Sequence, residues 1–189
     1  MITILLGAPG VGKGTQAQLA AEAHGWSHLS TGDLLREEVA AGSELGTQAS
    51  TFMSRGDLVP DEVMVGMVAA RIDSLAPEDV LLLDGFPRTF VQAEALEAAS
   101  PSGSIGLALY FTAPDTVLTQ RLLGRGRKDD TQEVIQHRLS VYRETTQPLV
   151  AFYSERGILS EVKADRPVED VQSDFLSTVQ NALGKTNLA

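Results

Sequence analysis

The chain has 189 residues, 43% of them hydrophobic and 21% charged, with a formal net charge of -10 and a pI near 4.7. That balance describes one globular domain, or one domain with small inserts, able to bury a core without disulfides. It sets long-range charge against nucleic acid and anionic membranes, but leaves room for a small anion held by local cations. The absence of cysteine excludes disulfides, thiolate zinc sites and a cysteine nucleophile. The opening MITILLGAPG lacks a basic flank and is about one strand long, so it reads as a β-strand and not as a secretion signal. No apolar run reaches the ~18 residues that span a membrane, and the expected location is the cytoplasm.

Ile2 to Leu6 is a continuous apolar run ending in glycine, the pattern of a parallel strand buried on both faces. Thr15 to His24 predicts a helix stopped by Gly25, and residues 26–29 a short second strand. From Ser30 to Asp73 the pattern is helical in pieces, with breaks expected at Gly42, Gly46, Gly56 and Pro60. Val80 to Leu83 predicts a strand ending at Asp84-Gly85, followed by a helix over Phe90 to Ala99 and a strand over Ile105 to Phe111. Pro114 suits the first turn of a helix reaching Leu123, and a charged, glycine-containing loop follows over 124–130. Thr131 to Arg156 is a long helical pattern that Pro148 should kink or restart. Ile158 to Val162 and Val168 to Leu183 complete the chain as strand and helix. Strands alternating with helices predict an α/β fold, a parallel sheet flanked by helices on both faces, with two inserts on one domain.

The sharpest signal is Gly7-Ala8-Pro9-Gly10-Val11-Gly12-Lys13-Gly14-Thr15, which follows an apolar strand and opens a helix. Glycines let the backbone curl so that successive N–H groups face phosphate oxygens, and the helix start adds positive partial charge. Lys13 is placed to reach the outer phosphates. The residue after the lysine is Gly14 where such loops usually carry the hydroxyl that binds Mg²⁺; here the hydroxyl comes one place later, at Thr15. A dinucleotide fingerprint fails, because its third glycine or alanine would fall at Thr15. A GTPase would carry an Asn-Lys-x-Asp motif, and the only asparagines are Asn181 and Asn187.

Eleven of the fifteen basic residues are arginine, and Arg121, Arg125, Arg127, Arg138 and Arg143 share one short stretch. Arginine's planar fork suits phosphate, although a general bias toward arginine explains the composition equally well. His24 and His28 stand four apart across Gly25 with no third ligand type nearby, so a metal site there is not expected. His137 reads as structural, and there is no Ser-His-Asp pattern.

Beyond the phosphate loop, four segments resemble the adenylate kinases: Ser30-Thr31-Gly32-Asp33-Leu34-Leu35-Arg36, Gly56-Asp57-Leu58-Val59-Pro60, Leu83-Asp84-Gly85-Phe86-Pro87-Arg88 and Arg125-Gly126-Arg127-Lys128-Asp129-Asp130. The resemblance spans residue 1 to about 170. It implies a P-loop kinase domain with a small helical NMP-binding insert at 30–59 and a short lid at 124–131, in place of the long and sometimes zinc-bearing lid of many bacterial members. It implies that ATP meets Gly10, Val11, Gly12, Lys13, Gly14, Thr15, Arg121, Arg125 and the backbone of Arg166. It implies that AMP meets Thr31, Arg36, Asp57, Leu58, Val59, Gly85, Phe86, Pro87, Arg88, Gln92, Arg127 and Arg138. Thr31 also reads as part of a helix cap, and both roles can hold. Asp57 would contribute backbone, with its carboxylate turned away from the AMP phosphate. Asp84, at the end of a buried strand, resembles a Walker-B aspartate holding Mg²⁺ through water. Lys13, Arg88, Arg125, Arg127 and Arg138 would be catalytic in the reversible conversion of ATP and AMP to two ADP. The family expectation is a monomer that needs Mg²⁺ with ATP and no structural zinc. A UMP/CMP kinase of the same fold, a nucleotide-binding module without kinase activity and a P-loop ATPase acting on a protein are the alternatives; Thr31 weighs against the first, since pyrimidine relatives tend to carry alanine there.

Overall fold

The computed structural model describes residues 1–76, 79–127 and 130–186. Two residues of the expected lid, Lys128 and Asp129, lie outside the described residues. The described elements are strands β1 (Ile2–Leu6), β2 (Ser27–Ser30), β3 (Leu81–Asp84), β4 (Ile105–Thr112) and β5 (Leu159–Lys163), with helices α1 (Lys13–His24), α2 (Thr31–Ala41), α3 (Glu44–Arg55), α4 (Asp61–Ile72), α5 (Phe90–Ala99), α6 (Asp115–Gly124), α7 (Gln132–Val141), α8 (Leu149–Glu155) and α9 (Val168–Thr186). A π-helical turn, Tyr142–Thr146, lies between α7 and α8. Among the described residues, no helix is long and apolar enough to cross a membrane.

The five strands form one parallel sheet in the order β2-β3-β1-β4-β5. The chain leaves β1 toward one edge of the sheet and later crosses to the other, so β1 lies at the switch point where ligands of open α/β sheets bind. Apolar side chains on consecutive strand residues alternate between two cores. Leu5, Leu82, Leu109 and Phe111 pack with Ala17 and Ala20 of α1, Leu122 of α6, Ile135 of α7 and Phe175 of α9. Ile4, Leu81, Leu83 and Ala108 pack on the opposite face with Leu35 of α2, Val68 of α4, Leu96 of α5 and Tyr153 of α8. Burying each such Leu, Ile, Val or Phe side chain contributes about 1.5–3 kcal/mol, and this two-sided burial is why the strands read as continuous apolar runs.

Two departures from the sequence expectation have local causes, and the restart expected at Pro148 is present at Leu149 with its fault beginning one turn earlier. Gly46 does not break a helix; it lies inside α3, which Ser43 caps by accepting from the Gly46 N–H at 2.9 Å. A Cβ there would lie 2.1 Å from the carbonyl oxygen of Glu38, so glycine is present because α2 and α3 touch backbone to backbone. Pro114 precedes α6 as its cap and is not within its first turn. The long pattern after Thr131 is broken before Pro148: proline has no N–H for the Glu144 carbonyl, and the wide bond from Gln147 N–H to the Tyr142 carbonyl (2.8 Å) takes up the mismatch.

The Gly46 contact generates a paired expectation. Gly46→Ala should lower unfolding stability by about 1–3 kcal/mol or more, as overpacking against rigid backbone does. Gly66→Ala, in α4 where an added Cβ meets nothing within 4 Å, should raise it by up to about 1 kcal/mol. Urea unfolding of the two variants checks both signs.

Candidate active site

The carboxyl ends of β1, β2 and β3 open into a cavity of about 670 Å³. Gly7 leaves β1 with φ +139, and a Cβ on it would lie 2.6 Å from the Phe111 carbonyl, so only glycine lets the loop part from β4 here. The loop then enters α1, whose first turn has N–H groups without partners inside the helix. Lys13 folds back over the loop, donating to the carbonyls of Gly7 at 2.6 Å and Ala8 at 3.1 Å. Burial pulls its ammonium down to about 8; Asp84 opposes that shift, while Arg88 and Arg125 add to it.

Of the residues expected at the site, Gly10, Val11, Gly12, Lys13, Gly14, Thr15, Arg36, Asp57, Leu58, Val59, Asp84, Gly85, Pro87, Arg88, Gln92, Arg121, Arg125, Arg127, Arg138 and Arg166 all line this one cavity. Thr31 and Phe86 stand behind its wall. Thr31 is fully buried and donates to the Asp84 carbonyl at 3.3 Å, and Phe86 is 1% exposed in the core. The cap expected at Ser30 is present, its hydroxyl accepting from the Asp33 N–H at 3.2 Å. The Asp57 carboxylate is held by His137 Nε2 at 2.7 Å and faces Arg55 Nε at 3.3 Å. Arg143 is outside the cavity, paired with Asp115.

The arginines are held in pairs by aspartates that the sequence left without a role. Asp130, its side chain 1% exposed, accepts from Arg125 through both oxygens at 2.8 Å and from Arg138 at 2.9 Å. Asp33 pairs with Arg36 and lies 3.7 Å from Arg127. Arg138 also donates to the Met53 carbonyl of α3 at 3.3 Å, tying the α2–α3 unit to α7. Arg88 is fixed at three points. Its Nε donates to the Gly85 carbonyl at 2.8 Å, its N–H to Gln92 Oε1 at 2.7 Å, and its carbonyl accepts from Thr146 of the π turn at 3.0 Å. Burial lowers the Arg88 pKa from its ordinary value, with Asp84 opposing and Arg138 and Arg36 adding to the fall.

Arg121 bridges the loop and the segment after β5, donating to the carbonyls of Val11 at 3.2 Å and Ala164 at 2.9 Å. Arg166 is half-buried and spends its side chain on the Lys163 carbonyl and Asp174.

Among the described residues, the end of β3 offers a place for a divalent cation. Asp84 ends β3 with Oδ2 3.2 Å from the position of a Cβ on Gly14, so the glycine that replaces the usual hydroxyl residue gives the carboxylate room beside the helix start. His28 Nε2 is buried, lacks a hydrogen-bond partner and stands 4.0 Å from Asp84 Oδ2. One carboxylate beside polar space suits Mg²⁺, which keeps most of its waters and takes its remaining oxygens from phosphate. No group of three or more metal-binding side chains is present among the described residues.

The lowered Lys13 pKa gives two opposite slopes with pH. The phosphate-binding form is the protonated one, so kcat/KM for a nucleotide triphosphate should fall as pH rises through about 8. Between about 8 and the unfolded value of 10.5 the unfolded chain binds more protons at this site than the folded one. Folding stability should therefore rise with pH in that window, relative to Lys13→Met. pH–rate profiles and urea unfolding at several pH values check the two signs.

The family model that matches this chain is adenylate kinase, over residues 5–158. A protein of Prochlorococcus marinus (strain MIT 9211) named adenylate kinase is 49% identical over 183 residues, covering 96% of each chain. One from Synechococcus sp. (strain RCC307), of the same name, is 50% identical over 93% of this chain and 97% of its own. Another from Mycobacteroides abscessus is 46% identical over 98% of this chain and 100% of its own. With a match across most of its length and the phosphate loop, Lys13 and the paired arginines around one cavity, the chain belongs to the adenylate kinase family.

Proposed function

We propose that the protein transfers the terminal phosphoryl group of ATP to AMP, reversibly, giving two ADP. The observation that carries this reading is the convergence of Lys13, Arg88, Arg125, Arg127 and Arg138 on one cavity of about 670 Å³. The loop 10–15 and Arg121 hold ATP, with Arg166 supplying backbone beside its adenine. Arg36, residues 57–59, Gly85, Pro87 and Gln92 hold AMP. Thr31 and Phe86 support that side from behind. Residues 30–59 serve as an NMP-binding insert and 124–131 as a short lid.

An oxygen of the AMP phosphate forms a bond to the γ-phosphorus as the bond to the β–γ bridging oxygen breaks, and that electron pair leaves with ADP. The attacking oxygen is already anionic near neutral pH, so no protein base is required. Positioning and charge stabilisation carry the rate. Lys13 and the four arginines face the oxygens where charge spreads. Mg²⁺, held with ATP by Asp84 through water, would neutralise phosphate charge. The reading extends to a monomer acting on a cytoplasmic nucleotide pool.

Product analysis with ATP, Mg²⁺ and each of AMP, UMP, CMP and GMP tests this directly. Rapid transfer to AMP alone is expected, and Arg88→Met should cut kcat roughly 10²–10³-fold, as loss of a preorganised donor does. Preference for UMP or CMP would overturn the acceptor, and transfer to none of them would overturn the kinase reading.

A further inference from the structure

Gln92 lies in the first turn of α5, is 1% exposed and lines the cavity. Its amide is held by two partners of fixed and opposite character. Nε2 donates to Oδ1 of Asp61 at 2.7 Å, and Oε1 accepts from the backbone N–H of Arg88 at 2.7 Å. Asp61, in the first turn of α4, accepts from the Thr89 hydroxyl through its other oxygen at 3.1 Å, so its carboxylate is itself held in place. An ionised carboxylate only accepts and a backbone N–H only donates. Turning the amide over would set oxygen against oxygen and N–H against N–H. One orientation alone satisfies both partners, and it leaves Gln92 with one free N–H and one free oxygen lone pair.

We propose that Asp61 is a specificity-determining positioning residue, locking Gln92 so that the cavity takes a purine with a 6-amino group and rejects its 6-oxo counterpart. This rests on Gln92 facing the acceptor base. Adenine offers an N6–H donor beside a ring-nitrogen acceptor, which a glutamine oxygen and N–H complement in that order. A 6-oxo purine places an acceptor at position 6, which faces the glutamine oxygen unless the amide turns over. Asp61 and the Arg88 N–H both oppose that turn. Discrimination then comes from leaving buried polar groups unpaired, a stronger filter than shape when two bases have nearly the same outline. Asp61 acts through Gln92 and touches no substrate.

The test is kcat/KM with ATP for AMP and for inosine monophosphate, which differ at position 6 and at the N1 proton. Asp61→Asn keeps the size of the side chain and supplies an NH₂ that can face a turned Gln92. Its AMP-to-IMP ratio should fall about ten-fold or more, with IMP gaining, in line with the loss of a hydrogen bond to a charged group. Thr89→Val, which removes the hydroxyl that holds the second Asp61 oxygen and accepts from the Gln92 backbone N–H, should lower the ratio in the same direction by about threefold. Melting curves establish that each variant is folded, and if the asparagine variant is not, Thr89→Val carries the test. An unchanged ratio in the folded variants, with both KM values rising together, would overturn the lock and leave Asp61 a support for α4 and α5. Wild-type protein that transfers nothing to AMP would instead overturn the reading of the function.

Discussion

Like charges crowded into one cavity repel, and much of this structure serves to hold them there. Lys13, Arg88 and Arg127 all have their pKa values drawn below ordinary by burial, and neighbouring cations add to each shift. The opposing charge comes from three aspartates set among the cations. Asp84 faces Lys13 and Arg88, Asp130 holds Arg125 and Arg138, and Asp33 sits between Arg36 and Arg127. The chain carries a net charge of -10, yet it concentrates arginine where a polyphosphate would lie. Each aspartate offsets part of the repulsion and also aims the side chains that it holds.

The sheet supplies the geometry for this arrangement. Asp84 is in register with Leu5 on one side and Ser30 on the other, so the end of β3 joins the start of the phosphate loop to the cap of α2. The buried Thr31 hydroxyl fixes the same point from behind. Farther out, the Arg138 bond to α3 and the His137–Asp57 contact connect the α2–α3 unit to α7. That unit is therefore tied directly to Arg138 of the cavity. A site built this way has its charges placed before substrate arrives, which is the condition for electrostatic catalysis without reorganisation.

Local signals were readable in the sequence. The apolar run of β1, the glycines and lysine of the loop, and the cap at Ser30 are each complete within a few residues. The partners of Arg138 and Gln92 were not readable, because Met53 lies 85 residues from Arg138 and Asp61 lies 31 from Gln92. Asp130 was visible within a motif, but nothing in its spacing showed that it would be buried between two arginines. Gly46 reads as a break in the sequence because its reason for being glycine is a close approach from another helix. The π turn was hidden because Pro148 announces a fault in the helix without saying on which side it is absorbed. Its consequence, a Thr146 hydroxyl bonded to the Arg88 carbonyl, belongs to tertiary structure alone.

The central claim is that fixed cations move a phosphoryl group directly between two nucleotides bound at once, with no protein nucleophile. Initial rates measured over a matrix of ATP and AMP concentrations test this most directly. The account predicts intersecting double-reciprocal lines and no labelled protein after incubation with γ-labelled ATP as the only nucleotide. Parallel lines with label recovered on the protein, and transferred from it to AMP, would show a phosphorylated protein intermediate and contradict the account.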